Sequence, residues 1–190
     1  AIVWWDNNNS SYGTALIGTV SGTTISFSSN YVFNSGTTSL PKLYFDPHNA
    51  NKFAIVYRDS GNSSYGTAVI ATISGTSITF GSESVFHSVG TSQISGSYDP
   101  NTAGSFVIVY RHSVNDRSYA KVATISGNTL SYGMPLIIRS PSIQTMQVSL
   151  WSFTGMNKTL TMVPQLWAQF LEQVLVSVLK LYLQKQVLHI

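Results

Sequence analysis

A short apolar run returns every 53 residues. Ile2-Val3-Trp4-Trp5-Asp6, Ile55-Val56-Tyr57-Arg58-Asp59 and Ile108-Val109-Tyr110-Arg111-His112 begin at positions 2, 55 and 108. Repetition at this length constrains the fold more than any other feature. Each copy is one supersecondary unit, and a unit this small must bury its apolar face against its neighbours. A site in such a fold is expected on one face, sampled once per copy.

The middle copy shows the unit most clearly. Ser39 to Phe45 reads as a strand ending at Asp46-Pro47, and His48-Asn49-Ala50-Asn51 is turn chemistry. Phe53-Ala54-Ile55-Val56-Tyr57 is a continuous run of β-formers, which predicts a strand buried on both faces. After the turn Asp59-Ser60-Gly61-Asn62-Ser63, Thr67 to Ile73 is a third strand. Ser74-Gly75-Thr76-Ser77 is a tight hairpin, and Ser77-Ile78-Thr79-Phe80 a fourth strand. Landmarks recur in order: Asp46-Pro47 with Asp99-Pro100, and Ser21-Gly22 with Ser74-Gly75 and Ser126-Gly127. Ser11-Tyr12-Gly13 matches Ser64-Tyr65-Gly66 and, less well, Ser118-Tyr119-Ala120. Val32-Phe33 and Val85-Phe86 match Ile137-Ile138, with one short deletion absorbed in the third copy.

Short antiparallel strands in fours, at this period, predict an all-β fold of β-propeller-like blades. A sandwich does not need near-identical copies, and a solenoid usually has shorter ones. The units resemble tandem β-repeats of the Ser-Tyr-Gly-Thr-Ala…Ile-Ser-Gly-Thr-Ser-Ile-Ser-Phe-Gly kind, found in propeller-like proteins of marine viral and microbial type. The resemblance covers residues 1 to about 140 and carries no catalytic motif. The blades are expected at 1–37 (partial), 38–90 and 91–140. The chain starts inside a strand and holds two nearly whole units, so it reads as an incomplete piece of a longer repeat protein.

From Pro141 the composition shifts, and 165–190 becomes rich in Leu, Val and Gln at helical spacing. An amphipathic helix is the plain reading. Glu172 and Lys180 interrupt the apolar run, so a membrane span is not expected. The genetic code gives a sharper reading. In the frame built from the third base of each codon and the first two of the next, Trp167 to Val178 permits Gly-Thr-Ile-Ser-Gly-Thr-Ser-Ile-Ser-Phe-Gly. In the same frame Leu150 to Asn157 permits Val-Val-Val-Tyr-Arg-Asp-Glu, and Ser142 to Thr145 permits Asp-Pro-Asn. These are the repeat's own landmarks in the repeat's order. Residues 141–190 are therefore expected to be a frameshifted fourth copy, disordered or loosely packed as a helix.

Charged residues make up only 9% of the chain and the net charge is +3. No basic stripe is available to grip phosphates, which argues against a nucleic-acid partner. Cysteine is absent, which excludes disulfides and thiolate metal sites.

The strongest binding candidates are the repeated positions Trp4, Trp5 and Asp6; Tyr57, Arg58 and Asp59; and Tyr110, Arg111 and His112. Aromatic rings beside hydrogen-bonding groups suit sugars, because a ring covers apolar C–H faces while polar neighbours take hydroxyls. The competing reading makes the aromatics packing residues. The oxygen-rich loops at Asp6-Asn7-Asn8-Asn9, Asp59-Ser60-Gly61-Asn62 and Asn115-Asp116 lack the alternating acidic ligands of a calcium loop and read as turns. His48, His87, His112 and His189 show no metal-ligand spacing, so no metal is expected. Asp46 and Asp99 recur at the same turn, whereas a catalytic carboxylate pair should break the repeat. Asn8, Asn9, Asn62 and Asn157 open glycosylation triplets, common by composition alone.

No nucleophile triad, phosphate loop or nucleotide fingerprint is present, so neither catalysis nor a cofactor is expected. The sequence leads to non-enzymatic recognition or adhesion, extracellular or virion-associated. Its expected partners are a glycan or other cell-surface ligand and the remaining blades of a parent protein. A piece of a propeller-type polysaccharide hydrolase and a purely structural scaffold are the alternatives.

Overall fold

The computed structural model describes residues 1–138; the expected frameshifted segment, 141–190, lies outside them. Among the described residues the chain is all-β, its strands paired antiparallel, with no α-helix. The strands are β1 (Ile2–Asp6), β2 (Tyr12–Leu16), β3 (Gly18–Ser21), β4 (Thr24–Phe27), β5 (Tyr31–Asp46), β6 (Asn49–Asp59) and β7 (Tyr65–Ser74). They continue with β8 (Ser77–Phe80), β9 (Ser84–Tyr98), β10 (Ser105–His112), β11 (Ser118–Ser126), β12 (Thr129–Tyr132) and β13 (Leu136–Ile138). No helix among the described residues is long and apolar enough to cross a membrane.

Two long strands each serve two partners. β5 pairs with β2 over Tyr31–Thr37 and with β6 over Thr38–Asp46. β9 pairs with β7 over Ser84–Gly90 and with β10 over Thr91–Tyr98. The ladder thereby folds into three layers. The first holds β1, β2 and the start of β5, followed by the β3–β4 hairpin. The second runs from the rest of β5 to the start of β9. The third holds the rest of β9 and β10 to β13.

The continuous apolar run in β6 shows why the layers stack. Phe53, Ala54, Ile55, Val56 and Tyr57 are all fully buried, as a strand covered on both faces must be. Alternation sends Phe53, Ile55 and Tyr57 into one core with Ala15, Ile17 and Phe33 of the first layer. Ala54 and Val56 enter the other, with Phe106, Ile108 and Tyr110 of the third. The repeat also appears in the ring contacts. Phe33 meets Tyr57 at 5.2 Å between centroids, and Phe86 meets Tyr110 at 5.2 Å. Phe33 also meets Phe80 at 6.1 Å, and Phe86 meets Tyr132 at 6.4 Å.

Each of these Phe rings lies over a glycine. A Cβ on Gly13 would stand 2.4 Å from the Phe33 ring, and one on Gly66 2.4 Å from the Phe86 ring. Opposite Tyr57 and Tyr110 the long strands bulge. The ladder skips Leu40-Pro41 and Gln93-Ile94, and Leu40 and Gln93 take the left-handed φ values 54° and 51°.

Two sequence expectations need correction. The turn expected over His48–Asn51 closes sooner: Asp46 pairs with Asn49, because the Asp46 carboxylate accepts the His48 N–H at 2.9 Å. The match of Ser118-Tyr119-Ala120 to Ser64-Tyr65-Gly66 is two residues out of register. Arg58 pairs with Gly66 and Arg111 with Ser118, while Tyr57 pairs with Thr67 and Tyr110 with Tyr119. The structural partner of Tyr119 is therefore Thr67. The deletion falls in the preceding loop, where Asp116 takes the place of Ser64; both are left-handed, at φ 56° and 61°. Loop shortening at constant strand register preserves the core pattern, which a strand slip would invert.

Candidate functional site

The nine sequence-predicted residues lie at the loop ends of β1, β6 and β10, in equivalent registers. Trp5 stands opposite Gly13, Arg58 opposite Gly66 and Arg111 opposite Ser118. Their environments differ. Tyr57 and Tyr110 are buried in the two cores, so they act as packing residues, and among the described residues the Tyr110 hydroxyl makes no hydrogen bond. Burial raises both phenols, that of Tyr110 to about 12. Trp4 is half-buried, while Trp5 is 47% exposed and presents its ring to solvent.

The acidic positions close turns. Asp6 accepts the Asn8 N–H at 3.1 Å, and Asp59, buried, accepts that of Asn62 at 3.1 Å. His112 does the same work with a ring nitrogen, its Nδ1 accepting the N–H groups of Val114 at 3.1 Å and Asn115 at 3.4 Å. The arginines reach forward to the left-handed loop residue. Arg58 donates to the Ser64 hydroxyl at 2.8 Å, and Arg111 pairs with the Asp116 carboxylate at 2.7 Å.

The two layer interfaces diverge at one corner. Between the first and second layers, Asn34 donates to the Thr38 hydroxyl at 3.0 Å and accepts the Gly36 N–H at 2.7 Å. His87 takes the place of Asn34 in the next interface, and its buried Nε2 has no hydrogen-bond partner among the described residues. Its ring lies 4.7 Å from Tyr110, 5.1 Å from His112 and 6.1 Å from Tyr119. Tyr119 stacks on Tyr110 at 5.7 Å, with 17° between ring planes. Lys121, in the register of Val69, donates to the Phe86 carbonyl at 2.7 Å and lies 5.5 Å from the Tyr132 ring centroid. Burial first, then His112 and Lys121, push His87 below its ordinary pKa.

His87, His112, Asp116, Tyr119 and Lys121 thus all depart from the repeat, and they gather around the loop end of β10. Partly exposed rings of His112 and Tyr119, 6.2 Å apart and tilted by 44°, stand beside the Arg111 guanidinium and the Asn115 amide, which donates to the Tyr119 hydroxyl. Of this cluster, sequence reasoning named Arg111 and His112. It missed His87 as a neighbour of His112, because the two stand far apart in the chain and meet only across the layer interface. Position-by-position comparison of the copies carries the signal for His87, but only the corrected register reveals Tyr119.

Searches against protein-family models, curated proteins and solved structures found no match to this chain.

Proposed function

We propose that this chain is a non-enzymatic recognition module of propeller-like blades, acting outside the cell or on a virion, with a sugar-binding surface at the loop end of β10. The observation that carries the reading is the gathering of repeat-breaking residues at that one corner. Residues kept for packing recur from copy to copy, as Phe33 and Phe86 do; a site is built once. The aromatic surface of Tyr119 and His112 suits the C–H face of a pyranose, and Arg111 and Asn115 suit its hydroxyls. Low charge favours a neutral ligand. The blade reading draws on the four-strand unit and on the neighbouring first strands β5 and β9. These line a groove of about 380 Å³ with Leu40, Lys42, Gln93, Ile94 and Ser95, as the innermost strands of adjacent blades would.

The test is a glycan array followed by titration of the hits. Wild-type chain is expected to retain a restricted set of neutral glycans. Tyr119→Thr and His112→Asp, which restore the residues of the second copy, are expected to weaken binding by roughly tenfold or more each, a loss of about 1.4 kcal/mol. A chain that retains no glycan, or whose binding survives both substitutions, refutes the sugar site. The scaffold reading is favoured by the burial of Tyr57 and Tyr110 and predicts that outcome.

A further inference from the structure

Left-handed backbone occurs twice inside strands of this chain. Ser10, Ser11, Ser63, Ser64 and Asp116 also have positive φ, but they lie in loops and turns; Leu40 and Gln93 lie within β5 and β9. A glycine would adopt this conformation freely, whereas Leu and Gln are strained in it. A bulge re-aims the side chain at its bend, so a side chain kept there at a cost points to a use for it. Both bulges open onto the one groove of about 380 Å³, lined by Leu40, Lys42, Gln93, Ile94 and Ser95. Beside it the Tyr44 hydroxyl meets that of Ser95 at 3.2 Å and ties the two strands together.

The copies diverge along this same groove. Thr38-Ser39 repeats as Thr91-Ser92, and Asp46-Pro47 as Asp99-Pro100. Between these flanks no residue of Leu40–Phe45 matches its counterpart in Gln93–Tyr98. The next strand keeps its sequence: Phe53–Arg58 and Phe106–Arg111 differ only at Ala54 and Val107. Exposure does not account for the divergence, since Ile94 and Tyr98 are buried. The bend is retained from copy to copy while the side chains it aims are exchanged.

We propose that the groove between β5 and β9 is a second binding site, one that takes the carboxylate of an acidic sugar. Charge selects the ligand. Of the three described lysines, Lys52 and Lys121 donate to the carbonyls of Gly127 and Phe86. Lys42 is exposed and stays outside the one ion pair among the described residues, Arg111 with Asp116. No acidic residue lines the groove with it. Its ammonium suits a carboxylate, the Gln93 amide and Ser95 hydroxyl suit ring hydroxyls, and Leu40 and Ile94 suit the C–H face. An extended acidic peptide fits less well. It would add to the edges of β5 and β9 that no described strand covers, where bulges interrupt the row of backbone groups and Pro41 has no N–H. The site makes no use of Tyr119 or His112, so it and the surface at the loop end of β10 can fail separately.

Nuclear magnetic resonance titration of the full, isotope-labelled chain with glucuronate tests the site, with glucose, acetate and a short acidic peptide as the other arms. Glucuronate is expected to shift the amides of Lys42 and Gln93 to Ser95 saturably, and glucose to leave them in place. Lys42→Gln should weaken glucuronate binding by roughly tenfold or more, and Lys42→Arg, which keeps the charge, by less. Tyr119→Thr should leave it unchanged, whatever becomes of the surface at β10. Circular dichroism confirms that each variant keeps its strand content. Glucuronate that shifts none of these amides overturns the proposal. So does binding indifferent to the charge at position 42. Glucose, acetate or the peptide binding as tightly as glucuronate overturns the assignment to an acidic sugar.

Discussion

The two layer interfaces are built on the same rings and finished with different polar groups. Phe33 on Tyr57 and Phe86 on Tyr110 have the same 5.2 Å separation. Beside the first pair, Asn34 makes two internal hydrogen bonds; beside the second, His87 stands among three other rings and its buried Nε2 finds no partner among the described residues. An unpaired buried nitrogen costs stability. The apolar half of the interface therefore specifies how the layers stack. The polar corner is free to vary, and it varies toward chemistry that packing does not require.

The largest test of that division is removal of the shared rings. Phe33→Ala and Phe86→Ala each take a buried phenyl from the same place in its interface, 5% and 1% exposed. Each is expected to cost about 3–5 kcal/mol in urea unfolding. Losses that differ widely would break the equivalence of the two interfaces.

A smaller effect is expected from the glycine under the ring. Gly66→Ala places a methyl 2.4 Å from the Phe86 ring and should cost about 1–3 kcal/mol. The third copy shows the relief, since Ser118 carries a Cβ at the position of Gly66 and Ile138 replaces the phenylalanine. Gly66→Ala combined with Phe86→Ile should therefore cost less than the sum of the single changes. Strict additivity in the double-mutant cycle would show that ring and glycine are independent.

The smallest effect separates the polar corners. His87 has a lowered folded pKa, so the folded state binds fewer protons than the unfolded chain near pH 6.5. Its contribution is present above that pH and lost as pH falls through the folded pKa. His87→Asn copies the first interface. It should reduce the acid-linked drop in Tm by roughly a few degrees while leaving the neutral-pH fold intact. An unchanged Tm-versus-pH curve would remove His87 from the acid response.

The fold was legible where burial repeats. The two-faced run Phe53–Tyr57 announced a middle layer, and the expected hairpin at Ser74–Ser77 forms with Gly75 at a positive φ of 61°. Strand register in the third copy was not legible, because Ser118-Tyr119 imitates Ser64-Tyr65 and drew the comparison two residues away from the pairing of Tyr110 with Tyr119. The corner was half legible. Arg111 and His112 belong to a recurring pentad, whereas His87 reaches them only when a neighbouring layer folds over. Local patterns reveal what one strand buries; a contact made across the stack leaves no spacing to read.

Because β5 and β9 each supply hydrogen bonds to two successive layers, the 53-residue period is a unit of sequence and not of independent folding. A cut before Thr38 would break the backbone bonds that cross it, from the Thr38 N–H to the Ser11 carbonyl and from the Gly61 N–H to the Thr37 carbonyl, and a cut before Thr91 those from Thr91 to Ser64 and from Ser113 to Gly90. Loss of one layer should therefore propagate to the next, as in a one-dimensional chain of coupled elements. In hydrogen exchange, the amides of β6 and β7 should open together with those that hold β5 and β9 in place, rather than copy by copy.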